Sequence, residues 1–106
     1  MTYVIDIDGT ICEKAPKNDY TQAVPFPDRI KVVNQLYDDG HTIVYFTARG
    51  MGRHNNNATK AIEQFYDFTK DQLSSWGAKH HTLLLGKPAG DIYIDDKGIS
   101  AHVYFE

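Results

Sequence analysis

The sequence predicts an α/β domain built on a mainly parallel sheet, and three observations predict it. Short β-branched apolar runs alternate with stretches of helical periodicity, in the order strand, helix, strand, helix, strand, strand. The chain has 106 residues, which suits one domain with a core of its own. Its chemically useful polar side chains fall just past the ends of the strands, and in open α/β sheets ligands bind outside the carboxyl ends of the strands.

The first strand is Tyr3-Val4-Ile5-Asp6-Ile7, a β-branched run of the buried kind. Asp8-Gly9-Thr10 follows with turn composition. Residues 12–27 hold three of the four prolines and keep no period, so they read as a surface loop. Pro27 and Asp28 open a helix, because proline is tolerated in the first turn and an acid there suits the helix dipole. Ile30, Val33, Leu36 and Tyr37 supply its apolar face, and Gly40 ends it. Thr42 to Phe46 is the second strand, leading into Thr47-Ala48-Arg49-Gly50. Gly50 to Asn57 is a loop rich in glycine and asparagine. The longest helix spans about Ala58 to Trp76, with Ile62, Phe65, Tyr66, Thr69, Leu73 and Trp76 on one face and Gly77 as its stop. Thr82 to Leu85 is a third strand and Asp91 to Asp95 a fourth. His102 to Phe105 is a short fifth strand at the edge. Only residues 86–90 join the third and fourth segments, whereas a parallel crossover needs about a dozen residues. The chain therefore either crosses the sheet in extended form or does not use Leu83 to Leu85 as a full strand.

Composition narrows the class. Hydrophobic residues at 42% and charged residues at 24% are the mix of a globular protein, which excludes a disordered or fibrous chain. The net charge is -3 with no basic block, which argues against a nucleic-acid partner. A lone cysteine, Cys12, permits no intrachain disulfide and fits a reducing compartment. The longest apolar runs, Ile43 to Phe46 and Leu83 to Leu85, are far too short to span a membrane. Asp6 and Asp8 interrupt the one apolar segment near the start, so no signal peptide is expected. A soluble, cytoplasmic domain is the expectation.

The strand ends carry the chemistry. Asp6 and Asp8 follow strand one, Thr47 follows strand two, Lys87 follows strand three, and Asp95-Asp96 close strand four. Carboxylates crowded together repel unless a cation lies among them, and hard oxygen ligands favour Mg²⁺. A hydroxyl and an ammonium beside them suit a phosphate bridged to that cation.

These residues carry a resemblance. Asp6-Ile7-Asp8-Gly9-Thr10 matches the DxDGT signature of the haloacid dehalogenase superfamily of phosphatases, and Thr47, Lys87 and Asp95-Asp96 resemble its second, third and fourth motifs in order. The stretches Phe46 to Arg49, Gly86 to Pro88 and Ile92 to Asp96 resemble small capless members linked to capsular or surface polysaccharide synthesis. The likeness runs from Tyr3 to about Ser100. It implies a Rossmann-like three-layer sandwich over residues 1–106 with no cap domain, since the loops at 11–27 and 50–57 are too short for one.

The resemblance also implies a mechanism. Asp6 attacks phosphorus in line to give an aspartyl-phosphate, and Asp8 serves as acid and then as base. Mg²⁺ is held by the Asp6 side chain, the Asp8 carbonyl and Asp95, with Asp96 direct or through water. Thr47 and Lys87 hold phosphoryl oxygens, and Gly9 permits a tight turn whose amides face the phosphate. Arg49 either holds a second anionic group of the substrate or makes a surface salt bridge. The substrate is expected to be a small phosphorylated metabolite such as a sugar phosphate. A site with no cap must be closed by its substrate or by another subunit, so a homo-oligomer with a neighbour near the 11–27 or 50–57 loop is expected.

Two other classes share some of these features. Receiver-like signalling modules also gather acids, a Thr and a Lys, but they carry their phosphorylated Asp after strand three, where this chain has Gly86-Lys87. A non-catalytic phosphate- or metal-binding domain would not need the full set of ligands. Cys12 reads as a packing residue. His54, His80 and His81 read as solvated loop residues, because no metal-ligand spacing links them, with His54 a candidate substrate contact.

Overall fold

The computed structural model describes residues 1–106. β1 (Thr2–Ile5), α1 (Pro27–Asp38), β2 (Thr42–Thr47), α2 (Ala58–Ser75), β3 (Thr82–Leu85) and α3 (Ala101–Tyr104) follow in chain order. The three strands form a parallel sheet ordered β1-β2-β3, with Val4 opposite Val44 and Tyr45 opposite Leu83. No helix is long and apolar enough to cross a membrane.

Local signals set the helix ends. Pro27 and Asp28 lie in the first turn of α1 as expected. Asn57 caps α2 by accepting the Lys60 N–H at 3.1 Å, an interaction worth about 1 kcal/mol at a helix start. Past its end, the N–H groups of Gly77 and Ala78 fold back onto the carbonyls of Ser74 and Leu73, which relieves two otherwise orphaned acceptors.

The core lies between the helices and one face of the sheet. Ile43, Tyr45, Leu83 and Leu85 alternate along β2 and β3 and are buried with Ile30 and Val33 of α1 and Phe65 and Leu73 of α2. On α2 the buried stripe is Ala61, Phe65, Thr69 and Leu73, one step round from the expected face, so Ile62 is exposed. Val4 and Leu84, on the opposite face of the sheet, are also exposed. His81 is exposed in the bend before β3, as expected, and from there its Nδ1 accepts the Ile43 N–H at 3.0 Å while its ring stacks on Tyr37.

The two expected C-terminal strands do not form. Residues 91–95 pair with no strand, and His102 to Tyr104 lie in α3, with Phe105 packed against the core and against the Arg29 guanidinium. The short link 86–90 explains the first correction. Leu83 to Leu85 is a genuine strand on β2, so the chain leaves the sheet at its carboxyl end with too few residues to return and start another parallel strand. Within residues 11–27, two single turns of 3-10 helix (Pro16–Asn18 and Tyr20–Gln22) fold the loop down, and Cys12 bridges to Asp8 and Pro25.

Candidate active site

The turn after β1 is built around Gly9. The N–H groups of Thr10 and Ile11 both donate to the Ile7 carbonyl, each at 3.0 Å, and the Gly9 N–H donates to the Cys12 carbonyl at 2.8 Å. Gly9 adopts φ +83°, where a side chain would be strained. The turn buries Ile7, Ile11 and Cys12 beneath it and leaves Asp6 and Asp8 above. One expectation is corrected here. The Gly9 amide is occupied within the turn and does not stand free for a phosphate.

Asp6 is the centre of the first cluster. Its Oδ2 accepts from the Thr10 hydroxyl at 3.4 Å, and its Oδ1 lies 3.6 Å from the Lys87 ammonium. Burial pushes the Asp6 carboxyl above the ordinary carboxylate range, and the positive charge of Lys87 opposes that shift. Lys87 gets there because Gly86 turns the chain at φ +93°, after which the Lys87 N–H donates to the Thr47 carbonyl at 3.3 Å. The ammonium also sits 4.5 Å from the centre of the Tyr93 ring. The short link to residue 91 therefore does not keep Lys87 from the acids.

Asp8 belongs to a second cluster, which the sequence did not reveal. Arg49 is 1% exposed and grips Asp8 with both arms of its fork, Nε to Oδ2 at 2.9 Å and Nη2 to Oδ1 at 3.0 Å. Its Nη1 donates to Gln72 Oε1 at 2.7 Å and to Thr69 Oγ1 at 3.3 Å, and the guanidinium lies 4.7 Å from the centre of the Tyr20 ring. The Arg49 N–H donates to the Thr47 hydroxyl oxygen at 3.1 Å. Arg49 is thus neither a surface salt bridge nor an arm reaching toward a substrate; it is a buried clamp on Asp8. The one signal in the sequence was Thr69, a polar residue on the apolar face of a helix, which needs a partner when buried.

The structure brings Asp6, Asp8, Thr47, Lys87 and Arg49 together at the carboxyl ends of the strands. Asp95 and Asp96 are not with them. Both are exposed, and the Asp95 carboxylate accepts from the N–H groups of Lys97 and Gly98 at 2.6 Å each, which holds its carboxyl below the usual range. No three His, Cys, Asp or Glu side chains are grouped to hold a cation. A single chain therefore does not assemble the expected Mg²⁺ ligand set: the Asp6 side chain and the Asp8 carbonyl lie at the end of β1, and Asp95 and Asp96 are elsewhere.

Cys12 lies under this site. Burial and the nearby Asp8 push its thiol up to about 12. Expected is a native thiol that reacts with a disulfide reagent at pH 8 at least ~10²-fold more slowly than in denaturant, since the thiolate is the reactive form. Equal rates in the two states would show that the turn opens readily.

No family model matches the chain, and no curated protein sequence matches it. Two solved structures are similar. The crystal structure of a target protein from Vibrio cholerae superposes with a TM-score of 0.89 at 25% identity, over 98% of this chain and 86% of that one. D,D-heptose 1,7-bisphosphate phosphatase from B. bronchiseptica, complexed with magnesium and phosphate, superposes with a TM-score of 0.55 at 16% identity. That match covers 94% of this chain and 54% of the phosphatase, so the chain spans about half of that enzyme. The fold is a Rossmann-like α/β domain, a parallel sheet flanked by helices.

Proposed function

We propose that this protein is a phosphatase that transfers a phosphoryl group from a small phosphomonoester to Asp6 and then to water. The observation that carries the reading is the placement of the Asp6 carboxylate at a strand end, 3.6 Å from the Lys87 ammonium. A carboxylate nucleophile needs a neighbouring cation to let a phosphate dianion approach, and Lys87 supplies one. The likeness to a phosphatase crystallised with magnesium and phosphate is in keeping with it.

In this reading an Asp6 oxygen forms a bond to phosphorus as the bond to the leaving oxygen breaks. Asp8 donates the proton that the leaving oxygen takes up, and later accepts one from the water that cleaves the acyl phosphate. Arg49 holds both Asp8 oxygens, so one must leave the clamp before Asp8 can hand over a proton. Lys87 and the Thr47 hydroxyl bind the phosphoryl oxygens. A sugar phosphate or similar small metabolite is the proposed substrate, and Mg²⁺ the proposed cofactor.

The test uses p-nitrophenyl phosphate with Mg²⁺. Turnover that stops on chelation with EDTA is the expected result, and activity that survives chelation contradicts the Mg²⁺ requirement. The Asp8→Ala variant separates the roles. p-Nitrophenolate needs little protonation to leave, so this variant should release at most one equivalent of phenol per site in a burst and then turn over slowly. The trapped phosphate should map to Asp6 by mass spectrometry. A folded variant with neither burst nor phosphoenzyme would favour direct attack by water.

A further inference from the structure

Two parts of this chain have the composition of buried strands and lack a backbone partner, although the Tyr93 side chain rests on Lys87 and on the Pro88 carbonyl. β1 is an edge strand with Val4 62% exposed, and no backbone hydrogen bond joins its outer side to another segment. The run Ile92-Tyr93-Ile94 is 79%, 53% and 92% exposed, and no backbone bond ties it to the fold. A near-continuous apolar run belongs in a parallel strand covered on both sides. An open apolar edge and an exposed apolar segment in one chain are each a liability and together complementary.

The chain cannot join them to each other. The Lys87 N–H is tied to the Thr47 carbonyl at the carboxyl end of β2, and the Ala89 N–H to Asn56 Oδ1 at 2.9 Å. From Ala89 to Asp91 an extended chain covers at most ~7 Å. A parallel strand outside β1 would begin about 10 Å across from Thr47, two strand spacings away, and about 13 Å back along the sheet. A second copy meets no such limit. A two-fold axis perpendicular to the strands reverses their direction between copies, so a segment leaving the carboxyl end of one sheet enters at the amino end of the other.

We propose that two copies of this chain exchange residues 91–96, each lending them as a fourth, parallel strand to the outer edge of the other's β1. Parallel pairing carries Asp95 and Asp96 to the carboxyl end of that β1, beside the other copy's Asp6. The acid missing from each chain's own cluster is then supplied in trans. The exchange stands on the two unpaired edges alone, whereas its contribution to the site rests on the phosphatase reading above.

Mass, covalent trapping and mixing test this separately. Light scattering should give twice the 12.0 kDa of one chain, and a monomer at all working concentrations overturns the exchange. Val4→Cys chains co-expressed with Tyr93→Cys or with Ile94→Cys chains should oxidise to covalent pairs of unlike chains, because one of the two positions sits beside Val4 in a parallel ladder. Covalent pairs in neither mixture overturn it as well. Co-expressed Asp6→Asn and Asp95→Asn/Asp96→Asn chains, each inactive alone, should regain about a quarter of the wild-type rate, since half of the dimers are mixed and one site in each is intact. No recovery, with an active wild type, overturns supply in trans. A wild type that never turns over overturns the phosphatase reading instead, and mass and trapping then decide the exchange by themselves.

Discussion

Asp6→Asn is expected to lower phosphatase turnover at least ~10³-fold while the fold is retained, because the amide keeps the shape of the carboxylate and loses its nucleophilicity. Retained folding is read by circular dichroism and turnover by phosphate release. A near-normal rate would mean that another group attacks phosphorus. The pH dependence gives a second readout. Asp6 must be ionised to attack, and burial raises its carboxyl above the ordinary range, so the acid limb of kcat/KM should lie above that range. The stability sign follows from the same shift. A raised folded-state value favours the folded state below the ordinary Asp value, and that contribution is lost as pH rises through the raised one. Under chelation at neutral pH, Asp6→Asn should therefore melt higher than the wild type, and the difference should vanish in acid. A variant that melts lower at neutral pH would mean that the Asp6 charge is well compensated by Lys87 and Thr10.

Arg49→Met is expected to destabilise the protein by about 2–3 kcal/mol, because removing one partner of a buried ion pair leaves the other uncompensated. Asp8 keeps 21% of its side chain exposed, so water softens the loss to below the usual ~3–5 kcal/mol. In a domain of this size that corresponds to a fall in Tm of roughly 10–20 °C. Arg49→Lys should recover less than half of it. An ammonium is a point charge and cannot meet two carboxylate oxygens, Gln72 and Thr69 in one geometry. A shift under about 3 °C for Arg49→Met would show that the pair contributes nothing to stability.

Much of this molecule is legible in local patterns. Pro27 and Asp28, Asn57 and Gly77 mark the starts and stops of two helices through bonds that reach only a few residues along the chain. The apolar runs at Thr2–Ile5, Thr42–Thr47 and Thr82–Leu85 become strands where they stand. Parallel order follows from the helices between them, and that order alone gathers Asp6, Asp8, Thr47 and Lys87 at one end of the sheet.

What only the tertiary structure decides is pairing between distant groups. Arg49 and Asp8 are 41 positions apart, and nothing in their neighbourhoods shows that α2 would complete the clamp with Thr69 and Gln72. The segment 91–95 has the composition of a strand, yet a strand forms only where another offers its free edge within reach. Composition reports the preference of the segment. The geometry of β3, Gly86 and the anchored Lys87 decides that its own chain cannot satisfy it.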